Sequence, residues 1–76
     1  MNKLRRKELE RAKALLDEAM DIIQTAADEE REYAENMPES MQESEKHVMA
    51  EETADNLEDV VSDIEEVISN LEDAYE

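Results

Sequence analysis

A chain of 76 residues without cysteine has room for one small domain, and no disulfide or thiolate metal site can brace it, so self-association is the reinforcement left. Twenty-four acidic residues against eight lysines and arginines give a net charge of −16, which disfavours nucleic acid as a direct ligand and requires any charged partner to be basic. Glycine is absent, Pro38 is the only proline, and Tyr33 and Tyr75 are the only aromatics, a composition poor in turns and strand-formers.

Apolar runs are too short to cross a membrane, and none follows the basic N-terminus as a signal peptide would require. No membrane partner and a cytoplasmic location are therefore expected. A chain this acidic can also be disordered, so the apolar pattern decides.

The first element is expected at about residues 2–36. Leu9, Ala12, Leu16, Ala19, Ile23 and Ala26, then Tyr33 and Met37, alternate at spacings of three and four, the seam of a heptad-patterned helix. With Leu9, Leu16 and Ile23 at position a, the small Ala12, Ala19 and Ala26 occupy position d. Leu15 and Ile22 at g widen the stripe on one side, and Met20, Ala27 and Ala34 at e widen it on the other.

The connector is expected at residues 37–43. Pro38 removes a backbone donor and disfavours helical geometry at Met37, ending the first helix near Asn36. Residues 38–42 have room for a short helical turn. Ser44 then reads as the N-cap of a second helix at about 44–75, with Glu45 favoured in its first turn by the helix dipole.

The second helix repeats itself in heptads beginning at Asn56, Asp63 and Asn70. Ala54, Val61, Ile68 and Tyr75 fall at a; Ala50, Leu57, Ile64 and Leu71 at d; and Val60, Val67 and Ala74 at g. Periodicity this regular argues against disorder.

So short a connection makes the helices antiparallel neighbours, and the expected fold is an all-α two-helix hairpin. Folding about residues 40–41 brings Leu16 near Ile64, Leu9 near Leu71 and Tyr75, and Tyr33 opposite the small Ala50 and Ala54. The charge layout agrees, because residues 1–13 hold six of the eight cations and should lie beside Glu72, Asp73 and Glu76. Each end opposes its own helix dipole, and side by side they compensate.

The connector Asn36-Met-Pro-Glu-Ser-Met-Gln-Glu-Ser-Glu45, followed by Asn-Leu-Glu-Asp heptads, resembles a group of small acidic helical-hairpin proteins of Gram-positive bacteria and their phages. The resemblance spans residues 33–76; Glu43 stands where a glycine is usual in that group. It implies a mobile-element origin and a protein that acts on a host protein in the host cytoplasm.

No residues are assigned to catalysis, a metal or a cofactor. His47 is the only histidine, and no serine, threonine or lysine has a second catalytic group at a nucleophile-pair spacing. His47 reads as a partly exposed residue beside the cap, or as half of a two-ligand metal contact with Glu43. The carboxylates point outward and do not converge as calcium or magnesium sites require. Glu30 falls at position a, either paired with Lys46 or His47 across the hairpin or marking a wet layer. Met37, Met41 and Met49 gather near the connector, as packing or as an adaptable surface.

Two surfaces remain as candidates. Glutamates at every e position and carboxylates at every f position of the second helix form a ladder with a repeat of about 10.5 Å. Glu52, Asp55, Asp59, Asp63, Glu66 and Asp73 are its candidate partner-binding residues, in the manner of a DNA mimic or as a merely solubilising face. The apolar stripe is also wider than one neighbour covers. Leaving Leu15, Met20, Ile22, Val60 and Val67 in water forfeits on the order of 1.5–3 kcal/mol each, so self-association of two hairpins into a four-helix bundle is expected. The expected function is non-enzymatic protein binding: inhibition of a basic or nucleic-acid-handling host protein through the acidic face, or a structural role through the apolar seam.

Overall fold

The computed structural model describes residues 1–76 as two helices and a short connector. Helix α1 spans Lys3–Glu35, a single 3-10 turn spans Glu39–Met41, and helix α2 spans Glu45–Tyr75. The helices pack along their length into a rod of 60 × 15 × 12 Å. The expected hairpin is thus present, with each boundary within a residue of its sequence-based position.

Local chemistry fixes the ends. Asn2 caps α1, its Oδ1 accepting from the Arg5 backbone N–H at 2.8 Å. Asparagine is among the preferred N-cap residues. Met37 N–H donates to the Ala34 carbonyl and Met41 N–H to the Pro38 carbonyl, so α1 ends just before Pro38 as expected and Pro38 opens the 3-10 turn. Gln42 Nε2 donates to the Met37 carbonyl at 2.7 Å and ties the connector shut. Ser44 caps α2 as expected, its Oγ accepting from the His47 backbone N–H.

In α2 the a column is the spine of the fold: His47, Ala54, Val61, Ile68 and Tyr75 are all buried, together with Ala50 at d. In α1 the seam departs from expectation. Ala27 and Ala34 at e are fully buried, whereas Ala26 at d is exposed and Tyr33 at d is 53% exposed. Over the last two heptads of α1 the seam therefore runs through a and e, with Met37 closing it, while earlier Ala12 and Ala19 at d and Lys13 and Met20 at e are all half-buried. The reason is size. Alanines on both helices bring the backbones close at the connector end, and a tyrosine does not fit between them; its ring lies outside, in a shallow groove with Ala50 and Thr53.

Because the alanine layer is tight, volume should be tolerated at one helical position and rejected at another. Ala34→Leu is expected to cost about 1–3 kcal/mol by overpacking, while Ala14→Leu, at an exposed site, stays near neutral. Urea denaturation of the two variants makes the comparison.

Candidate protein-binding surfaces

The hairpin has two unlike flanks, and heptad position explains both. Side chains at e and b of α1 meet those at e and b of α2, and this flank carries the polar contacts between helices. Towards the connector end Arg31 Nη2 reaches Asp55 Oδ1 at 2.8 Å and Glu58 Oε1 at 3.0 Å. Hydrogen bonds from Arg31 to Asp55 and Glu58 raise its pKa above an already high ordinary value. At the open end Arg6 Nε donates to the Tyr75 carbonyl at 2.9 Å, satisfying a C-terminal carbonyl and placing a cation at the negative end of the α2 dipole.

The expected pairing of the basic segment with the far carboxylates thus takes a specific form. Arg6 and Lys13 share an open groove with Glu72, Glu76 and Tyr75, and Asp73, at f, lies exposed outside it. The pKa of Lys13 is raised by its hydrogen bond to Asp17, with further contributions from the charges of Asp17 and Glu72. Burial pushes the Tyr75 phenol up, reinforced by Glu72, Glu10 and Glu76 and partly offset by Lys13. Arg31 has no precursor in the sequence reading. Together with Lys46 it is the only cation after Lys13, and scarcity was the available signal.

His47 corrects an expectation. It is 7% exposed, because position a at the start of α2 points into the hairpin. Its Nε2 lies 3.3 Å from Glu51 Oε1, one turn onward, so Glu43 is not its partner. Nowhere do three or more His, Asp or Glu side chains converge as a metal site requires. Glu30 pairs with neither Lys46 nor His47; it is half-buried at the edge of the Tyr33 groove, the wet-layer alternative. Met37 is packed, while Met41 and Met49 are exposed.

The outer face of α2 is acidic. Glu52, Asp55, Asp59, Asp63, Glu66 and Asp73 are all exposed. Asp55 is engaged by Arg31, but the other five form no ion pair within the chain. Glu52, Asp59, Glu66 and Asp73 recur every seven residues at f, directly away from α1, with a repeat of about 10.5 Å.

The opposite flank, built from d and g positions, is apolar. Leu15, Ile22, Val60 and Val67 are 55%, 64%, 41% and 49% exposed, a large fraction for aliphatic side chains. Met20 is half-buried at e, on the far side of the seam from Leu15 and Ile22, and falls outside this patch. No helix is long and apolar enough to cross a membrane. The chain matches no family model, no curated protein and no solved structure.

Arg31 should act as a clamp between the helices. Arg31→Ala is expected to lower the melting temperature by a few degrees at low salt, and the deficit should shrink as added salt screens the exposed carboxylates. Calorimetry across a salt series measures it.

High pH should weaken the open end. Lys13 and Tyr75 both have folded pKa values raised from ordinary values of 10.5 and 10.0, so the folded chain holds these protons more tightly than the unfolded one. Their contribution is fully present below those ordinary values and is lost as pH rises through the raised ones. Tyr75→Phe should accordingly blunt the loss of stability seen in thermal melts between neutral pH and about pH 11.

Proposed function

We propose that the chain is a non-enzymatic protein-binding module whose target is a basic protein surface, engaged by the outer face of α2. The observation that carries this reading is the line of Glu52, Asp59, Glu66 and Asp73, with Asp63 beside it. All five are exposed and free of ion pairs within the chain, and they are held on a helix whose opposite side is buried. A rigid array of unneutralised carboxylates accelerates encounter with a basic surface and is selective for charge spacing.

The mechanism is steric and electrostatic competition. A protein that handles nucleic acid presents such a basic surface, and occupying it blocks the natural ligand. Paired e and f carboxylates supply roughly one charge per 5 Å of helix, sparser than the one per about 1.7 Å of duplex DNA. The ladder therefore suits a cationic groove of a few side chains better than the whole footprint of a DNA site. The resemblance to hairpin proteins of phages and Gram-positive bacteria makes a host protein the expected target, and inhibition the expected result.

Replacing Asp59, Glu66 and Asp73 together by Gln tests the assignment without touching the seam. Capture from a bacterial lysate at low salt should yield a basic partner that binds the native chain, is lost at high salt or with excess DNA, and is not retained by the triple variant. Binding that is indifferent to salt, to DNA and to the triple substitution would remove the acidic-face reading.

A further inference from the structure

The apolar flank opposite the ion pairs has no occupant within the chain. Tyr33 and Glu30 line one groove with Ala50 and Thr53, which fixes the levels along the antiparallel rod. Counting outward from that layer sets Ile22 beside Val60 and Leu15 beside Val67. The four exposed aliphatic side chains thus form two rungs one heptad apart, about 10.5 Å, near the middle of the rod. Between and beyond them, α1 has the half-buried Ala12 and Ala19 and the exposed Ala26 at d, small residues over which another helix packs closely.

We infer that a second copy of this chain covers the flank, its long axis antiparallel to the first, completing a four-helix bundle. Charge complementarity between the two ends favours a second copy and sets the direction. Residues 28–45, around the connector, carry eight carboxylates and one cation, Arg31, whereas residues 1–13, with residues 70–76 of α2 beside them, carry six cations and five carboxylates. With the two rungs of one copy packed on those of the other, an antiparallel pairing lays the basic first turns of each chain along the acidic connector end of its counterpart. A parallel pairing would set the two acidic connector ends side by side.

A two-fold axis midway between the rungs also matches Leu15 of one copy with Ile22 of the other, the self-complementarity an isologous contact needs. The f carboxylates of α2 stay outward in this arrangement. The inference does not depend on the acidic face having a target.

Sedimentation equilibrium of the full chain at micromolar concentration is expected to give twice the 8.8 kDa chain mass. Ile22→Lys with Val60→Lys should return the single-chain mass with helical circular dichroism retained. These substitutions lower the net negative charge, so dissociation cannot come from added repulsion. Val48→Lys, at an exposed residue on another face, should leave the mass unchanged. Leu15→Ser gives a milder variant that should weaken association at least tenfold.

Direction is read separately. A nitroxide on Leu4→Cys, in a chain with no other cysteine, should lie more than about 40 Å from its counterpart in the antiparallel dimer, against roughly 20 Å in a parallel one. A single-chain mass for the native protein, a dimer indifferent to the double lysine variant, or the short nitroxide distance would each overturn the proposal.

Discussion

Burial of one column of side chains organises this molecule. His47, Ala54, Val61, Ile68 and Tyr75 stand at seven-residue intervals on α2, and each is at most 7% exposed. Once that column faces α1, helical geometry leaves no freedom for the rest. The f carboxylates must point away from the partner helix, the e residues must meet the e and b residues of α1, and the g residues must emerge on the remaining flank. The surfaces to which function can be attached are therefore consequences of a single register.

That register also lets a chain of net charge −16 close on itself. Repulsion between α1 and α2 is greatest where cations are fewest, along the middle and at the connector. Arg31, one turn from the C-terminal end of α1, binds two carboxylates of α2 at once. At the open end the basic first turns of α1 lie beside the C-terminus of α2, where Arg6 satisfies the Tyr75 carbonyl. In the same stretch as Arg31 the alanine layer of Ala27, Ala34, Ala50 and Ala54 holds the backbones together through close contact. Polar attraction and tight packing thus act together towards the connector end.

Much of this was legible in the sequence because heptads, Pro38 and the Ser44 cap each act over a few residues. The α2 seam could be read residue by residue, since its a positions are all larger than or equal to alanine and its flanking charges are regular. The α1 seam could not. Its d position is alanine in three heptads and tyrosine in the fourth, and its e position is lysine, methionine, alanine and alanine, so pattern alone does not say which side faces inward. Packing against Ala50 and Ala54 decides it, and that is a property of two helices together. His47 was misjudged because nearness to the cap suggested exposure, whereas its a position carries the ring into the hairpin. The Arg31 bridge depends on which residues of α2 come level with it, and a single helix carries no such information.

The shift of the α1 seam from a/d to a/e has a consequence for how the two candidate surfaces relate. Had the seam stayed on a and d, the d alanines would be spent inside the hairpin and Leu15 and Ile22 would stand nearer the edge of the contact. Rotating α1 toward e over its last two heptads turns Ala26 and Tyr33 outward, on the flank where Leu15 and Ile22 stand beside Val60 and Val67. The same rotation draws the b position inward, which is where Arg31 sits. A single alanine-driven rotation thus sets the Arg31 ion bridge and adds Ala26 to the exposed apolar flank. The acidic f face of α2 lies on neither flank, so occupation of one surface does not exclude the other.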